Sequence, residues 1–287
     1  MNLILKSLLV VATAASVAAA DFSGTSALEF TRHAVDLGPR PPGSAANLAL
    51  QNYILAQLKK DACEIIQDGF MAKTPQGPVA MKNIIARFPG RSGRAIAITG
   101  HFDTKFFPGR KFVGASDGGS STGLLLELAR VLARQPRLDD VYIVFFDGEE
   151  AFGEWTETDS LYGSRHLVDR WRHEGVLNRL KAVINVDMIG DKSLDIKQEM
   201  NSTASLRRLV WNTAADLGYG GFFQSEQMAT DDDHMPFIKA GVPALDIIDF
   251  DYPPWHTDSD TMDKLGAQSL EIVGTVVNEA IHRLERQ

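Results

Sequence analysis

Residues 147–150, Asp-Gly-Glu-Glu, close a strongly apolar run from Val141 to Phe146. The run has the length and the Val/Ile/Phe content of a buried strand. Two adjacent carboxylates at its end repel one another, and repulsion raises the pKa of one of them. The pair makes chemical sense if Glu150 or Glu149 binds a cation while the other stays free as an acid or base. That points to a metal-dependent enzyme whose remaining ligands lie elsewhere in the chain.

Candidates recur where apolar runs stop. His101 and Asp103 follow the strand predicted over Ala95–Thr99 and project to one side of it. A metal-binding histidine commonly gives its second ring nitrogen to a carboxylate, and Asp103 is placed for that. Asp117 sits in a glycine-rich turn, Gly114-Ala-Ser-Asp117-Gly-Gly119, where it reads equally as a helix N-cap and as a ligand. Asp187 follows the apolar run Ala182–Val186, and His256 follows Pro253-Pro254-Trp255, whose prolines stiffen its approach. Asp117, Glu150 and His256 together make an oxygen and nitrogen donor set suited to zinc, with a fourth position open for catalysis.

These positions require a scaffold. Strands are predicted at Ile84–Phe88, Ala95–Thr99, Val141–Phe146, Ala182–Val186 and Val242–Ile248. Helices are expected from a cap at Ser26 to Gly38, from Ser44 to about Lys60, and from near Ser120 through Leu124–Leu132. Three more are expected at Leu161–Arg172, Ala204–Leu217 and Leu265–Leu284. Pro39-Arg40-Pro41-Pro42-Gly43 reads as an extended surface arm. Alternating strands and helices imply an α/β three-layer sandwich with a central, largely parallel mixed sheet. Such sheets carry their sites beyond the carboxyl ends of the strands.

Bulk properties narrow the class. Residues 1–20 carry Lys6, an apolar stretch and Ala18-Ala19-Ala20, the pattern of a cleaved signal peptide. Residues 21–287 are then expected to form a single catalytic domain, exported to the periplasm or beyond, with no membrane span after cleavage. The net charge of −8 and the lack of a basic stripe argue against a nucleic-acid partner. Cys63 is the only cysteine, so no disulfide forms within the chain, and it reads as a small buried apolar residue. Asn201-Ser202-Thr203 matches an N-glycosylation acceptor, relevant only in a glycosylating host. A monomer is the favoured state.

The order of these residues resembles the zinc aminopeptidase superfamily. Within it the chain more closely resembles the animal-type glutaminyl-peptide cyclotransferases (glutaminyl cyclases). DGEEAFGEWTETDSLYGSRHL (147–167), DDHMPFIKAGVPAL (232–245), WHTDSD (255–260), FVGASD (112–117) and LLLELARVL (124–132) carry that likeness. Twelve residues, Ala151–Tyr162, separate Glu150 from the Gly-Ser motif, as in the cyclases and unlike ordinary aminopeptidases.

The resemblance implies one zinc held by Asp117, Glu150 and His256, with Glu149 as proton shuttle. It implies Asp187 and Asp232 as catalytic carboxylates beside the reacting group, and Trp155 and Trp255 as substrate-binding walls. The implied reaction closes the amino-terminal Gln of a peptide or protein into pyroglutamate and releases ammonia. The rival is a two-zinc aminopeptidase, with His101 and Asp187 on a second metal and Asp117 bridging. A non-catalytic binding module on the same scaffold is disfavoured by the intact site residues. The chain departs from the cyclases in lacking their disulfide, in Gly118-Gly119, and at Asp249–Tyr252, where either Phe250 or Tyr252 would be the third pocket wall.

Overall fold

A computed structural model describes residues 22–287; residues 1–20, expected from the sequence to be a signal peptide, lie outside the described residues. The elements run α1 (Gly24–Asp36), α2 (Ala45–Leu58), β1 (Glu64–Thr74), β2 (Gly77–Phe88), β3 (Ala95–His101), α3 (Ser121–Leu132), β4 (Asp140–Phe146) and α4 (Tyr162–His173). They continue with β5 (Leu180–Asp187), β6 (Ile196–Glu199), α5 (Ala204–Asp216), β7 (Phe223–Met228), α6 (Met235–Lys239), β8 (Ala244–Ile248) and α7 (Ala267–Glu285).

The six-stranded sheet has the order β1-β2-β4-β3-β5-β8. The pairings β4–β3, β3–β5 and β5–β8 are parallel, whereas β1–β2 and β2–β4 are antiparallel. β3 and β4 are buried at every residue, because helices cover both faces of the sheet and leave no polar side for alternation. Their pleat still sorts the side chains. Val141, Ile143 and Phe145 pack with residues of α1, α2, α3, α5 and α7, and Tyr142, Val144 and Phe146 pack with α4 and Phe237 of α6. Three layers result, and the ends of β3, β4, β5 and β8 open on one edge of the sheet.

Several local expectations change. The first helix begins at Gly24, and its cap is Ser23, whose hydroxyl accepts the Ser26 N–H. The predicted strand at 84–88 is the last part of β2, which forms an eleven-pair hairpin with β1. β6 and β7 form a second, small parallel sheet. The last core strand starts at Ala244 rather than Val242. The proline arm is not a surface feature, since Arg40 within it is fully buried.

Candidate metal centre and active site

The turn that carries Asp117 is held from two sides. Arg40 lies beneath it, giving its Nε–H to the Phe102 carbonyl at 2.9 Å and its Nη groups to the carbonyls of Val113 at 2.5 Å and Gly114 at 2.7 Å. Asp260 grips it from the other side, accepting the Ser116 N–H at 2.8 Å and the Asp117 N–H at 3.2 Å. Tyr252 donates its hydroxyl to Asp260 at 2.7 Å and is itself buried. Tyr252 is therefore a support behind the turn and not a pocket wall. Gly118 has φ +74°, and a Cβ there would lie 2.5 Å from the Asp103 carbonyl oxygen and 3.1 Å from the His101 ring. Only glycine lets the turn come so close to His101.

Asp103 sets the next piece. Its carboxylate accepts the backbone N–H of Glu149 at 3.1 Å and of Glu150 at 3.3 Å. The nearest approach to His101 Nδ1 is 3.5 Å, so its main duty is to hold the Glu-Glu segment.

Two groups of ligand atoms result, each with all its atoms within 4.8 Å of one another: Asp117, Glu150 and His256, and His101, Asp117 and Asp187. His256 Nε2 lies 3.0 Å from Glu150 Oε1 and 3.3 Å from Asp117 Oδ2. His101 Nε2 lies 3.1 Å from Asp187 Oδ1 and 3.2 Å from Asp117 Oδ1. A tetrahedral zinc with ligands at about 2.0 Å sets neighbouring ligand atoms about 3.3 Å apart, so both groups have the spacing of a metal polyhedron. Asp117 Oδ2 and Glu150 Oε2 are buried and make no hydrogen bond among the described residues. The donor set, hard oxygens with one imidazole, fits zinc. His256 takes a left-handed backbone, φ +54°, an uncommon conformation for a non-glycine residue that is retained where function requires it.

The acids around these groups differ in charge state. Burial opposes ionisation of Asp117, but the imidazoles of His101 and His256, 3.2 Å and 3.3 Å from its two oxygens, more than offset it and hold the carboxyl far below its usual range. Burial holds Glu149 well above the ordinary glutamic range; His101 pulls it down, and Glu150, Asp232 and Asp233 push it further up. Asp187 is raised by burial first, against the pull of His101. Asp232 is raised to about 6 by burial and by the charge of Asp187. Glu149 makes no ion pair among the described residues and takes no part in either ligand group. It is a buried acid that holds its proton more tightly than an ordinary glutamic acid, beside the ligand groups and outside both.

A cavity of about 490 Å³ opens over these groups, lined by Asp117, Glu149, Glu150, Asp187, Asp232 and His256. Trp155, Phe250 and Trp255 form its apolar walls. The Trp255 ring stacks on His256 at 4.2 Å and meets Phe250 at 4.9 Å. Trp155 rides on the segment after Glu150, which is pinned by Asp159: its carboxylate accepts the N–H of Phe152 at 2.9 Å and Gly153 at 2.8 Å and the Tyr162 hydroxyl at 2.7 Å. All eight site residues expected from the sequence line this one cavity. Sequence reasoning missed Arg40, Asp260 and Asp159, which only hold others in place. It also missed the buried set behind Asp232, where His234 Nε2 lies 3.2 Å from Glu199 and Nδ1 lies 3.9 Å from Asp246. The run Asp231-Asp232-Asp233-His234 was the available signal.

Fold and site together define a metallopeptidase-type α/β protein, and comparison with known proteins agrees. Residues 83–281 match the model of Peptidase family M28. A glutaminyl-peptide cyclotransferase of Drosophila melanogaster is 31% identical over 84% of this chain and 76% of its own length. The crystal structure of a glutaminyl cyclase from an Acidobacteriales bacterium superposes with a TM-score of 0.91 at 38% identity, covering 95% of this chain and 98% of that one. A leucine aminopeptidase precursor from Bacteroides thetaiotaomicron superposes with a TM-score of 0.85 at 28% identity, covering 92% of this chain and 98% of that one. The chain belongs to peptidase family M28 and, within it, to the glutaminyl cyclase branch.

Proposed function

We propose that this protein is a zinc-dependent glutaminyl-peptide cyclotransferase acting on the amino-terminal Gln of peptides or proteins. The observation that carries the reading is the buried Glu149, which belongs to neither ligand group and lines a slot walled by Trp155, Phe250 and Trp255. Such a slot suits a flat, uncharged side chain carboxamide.

In the reaction the α-amine nitrogen bonds to the γ-carbonyl carbon of the same Gln, the carbon–nitrogen bond of the carboxamide breaks, and ammonia leaves. Both partners belong to one residue, so the walls have mainly to hold the cyclic conformer. Zinc held by Asp117, Glu150 and His256 would supply Lewis acidity at the amide oxygen. Glu149 accepts the proton from the attacking amine and returns it to the departing nitrogen. Asp187 and Asp232 line the same cavity and accept hydrogen bonds from the amide nitrogen, orienting it. The tryptophans exclude water that would otherwise hydrolyse the amide.

The second reading is a two-metal aminopeptidase. It is favoured by one observation: the His101, Asp117 and Asp187 group has ligand spacing as good as the first. One paired assay separates them. Purified protein is given Gln- and Leu-derived fluorogenic substrates, and its zinc is counted. Ammonia and pyroglutamate with one zinc per chain support the cyclase; free leucine with two supports the peptidase. Export after removal of residues 1–20, and a monomeric state, belong to the same proposal and are checked by amino-terminal sequencing of the protein from its native compartment and by light scattering.

A further inference from the structure

The edge of the sheet opposite the site carries a second, differently charged hollow. A groove of about 820 Å³ lies between the α3–β4 connection and the end of α7, lined by Arg91, Arg134, Arg137, His282 and Arg286, with Glu285 as its one acid. Of these, Arg286 is paired with Glu279 at 3.1 Å and His282 lies 3.7 Å from Glu285, and Arg91 and Arg134 make no ion pair among the described residues, in a chain whose net charge is −8. β4 runs its full seven residues between this groove and the metal centre, about 20 Å at strand rise. The groove is therefore no part of the catalytic cavity.

Arg137 is the unusual member. Its side chain is only 4% exposed, yet its Nη1 is buried with no hydrogen-bond partner among the described residues. Glu285 Oε2 stops 3.7 Å away, because the other oxygen of that carboxylate is committed to the N–H groups of Leu138 at 2.9 Å and Asp139 at 3.3 Å. The Nε2 of Gln135 beside it is likewise buried and unpartnered, while its Oε1 accepts from Arg137 Nη2 at 2.9 Å. Two donors without acceptors lie just beneath the exposed Arg91 and Arg134, and a small outward turn of their side chains would offer them to an acceptor-rich group in the groove. Guanidinium forks match the paired oxygens of phosphate and sulfate. The groove is local, with no basic stripe leading from it, so a long nucleic acid would find no track.

We propose that this groove is a binding site for a compact multivalent oxyanion of the phosphate or sulfate class, free or as an ester, with its oxygens on the exposed Arg91 and Arg134 and on the Arg137 and Gln135 donors once these turn toward it. Burial lowers the pKa of the Arg137 guanidinium, and a bound anion would relieve that penalty.

The test uses the full protein and measures thermal unfolding against inorganic phosphate, sulfate and glycerol phosphate, with chloride at matched ionic strength. The probes are applied to the parent, to Arg137→Gln, and to the exposed double variant Arg91→Gln with Arg134→Gln. Excluded salts stabilise any folded chain, so the readout is the difference between parent and variant. A saturable rise of about 3 °C at tenfold excess over the dissociation constant is expected in the parent, weakened at least about tenfold in the double variant. Equal affinity for free phosphate and glycerol phosphate would allow an esterified ligand, and loss with the ester would restrict it to the free ion. Parent and double variant rising in parallel would overturn the proposal, even if Arg137→Gln does not fold. Glu149 and the ligand groups are untouched by these variants, so failure here leaves the cyclase reading standing, and failure of the paired substrate assay leaves this one standing.

Discussion

Both edges of the sheet bury carboxylates, and they treat them in opposite ways. At the amino edge, Asp140 is buried but ion-paired with Arg87 at 3.0 Å and with Arg179, and it accepts the Gly90 N–H at 2.7 Å. Asp139 beside it pairs with Lys181 at 2.8 Å. Burial raises the pKa of Asp140, but the Gly90 N–H and the two arginines more than offset it and hold it below the usual aspartate value. At the carboxyl edge, Glu149, Asp187, Asp232, Asp233 and Asp246 are buried and all raised, burial first in every case. Asp233 has neither oxygen hydrogen-bonded by geometry. One edge neutralises its acids within the chain and leaves arginines over. The other sets a single lysine, Lys105, 3.6 Å from Glu150, against this many acids, and that excess of negative charge suits a site that takes a metal ion and moves protons. The same residue type is structural at one end and chemical at the other, and the partner set decides which.

The sharpest way to break this contrast is Glu149→Gln. If Glu149 is the proton carrier, ammonia release should fall about 10²–10⁴-fold, while zinc content and the unfolding midpoint stay near the parent. His256→Ala should instead lose bound zinc, read by elemental analysis, because it removes a ligand. Equal zinc loss in both variants would mean that Glu149 is a ligand and that the two ligand groups are drawn wrongly. A smaller effect is expected one step out from the chemistry. Trp155→Ala should lower kcat/KM for a Gln substrate about thirtyfold, equivalent to about 2 kcal/mol. Asp159→Asn, which slackens the segment carrying Trp155, should lower it in the same direction but less. Unchanged kcat/KM in both would remove the tryptophan wall from the proposal.

How much of this could be read beforehand follows the same division. His101, Asp117, Glu150, Asp187 and His256 were legible because parallel strands deliver them to one edge and because their donor types are scarce elsewhere. The residues that hold them were not. Arg40 stands among prolines and a glycine, which usually mark surface, and only the fold turns it inward beneath Asp117. Asp260 is one of many acids in the chain and gains its meaning from two N–H groups more than 140 positions away. β1 and β7 were missed because their residues are largely polar or mixed, as edge strands with little burial allow. Long-range pairing, unlike periodicity, leaves no mark in a local window.

At the amino edge, Asp140→Asn should destabilise by about 2 kcal/mol in urea unfolding at neutral pH. Two guanidinium groups lose a charged partner, but Arg87 keeps Glu64 at 2.8 Å and each is about a third exposed, so the cost falls below that of a fully buried pair. Its pH dependence has a definite sign. The folded carboxyl is more acidic than the unfolded one, whose value is 3.8. Its contribution is present above that value and is lost as the pH falls through the folded value. A variant with the parent's stability at both neutral and low pH would show that these pairs are ornamental and that the two edges do not differ as described.

The smallest effect, and the one that most directly compares the edges, is at Asp249. It lies just past β8, is 1% exposed, and accepts the Asp195 N–H on one oxygen at 3.0 Å while the other has no partner among the described residues. Burial, with help from Asp191 and Asp195, raises its pKa to about 7. Here the sign reverses. The folded chain holds this proton more tightly than the unfolded chain does, so stability is greatest below about 3.8 and is lost as the pH rises through about 7. Asp249→Asn keeps an acceptor for the Asp195 N–H and leaves no charge to bury. The variant should match the parent near pH 4 and exceed it by about 1–2 kcal/mol at pH 8, a fraction of the ceiling set by 1.36 kcal/mol per pKa unit. Substituting a paired acid on the amino edge should weaken the protein, and substituting this unpaired one should strengthen it. If Asp249→Asn were destabilising at pH 8, its carboxylate would be compensated by a partner, and the shortage of cations at the carboxyl edge would not extend beyond the metal centre.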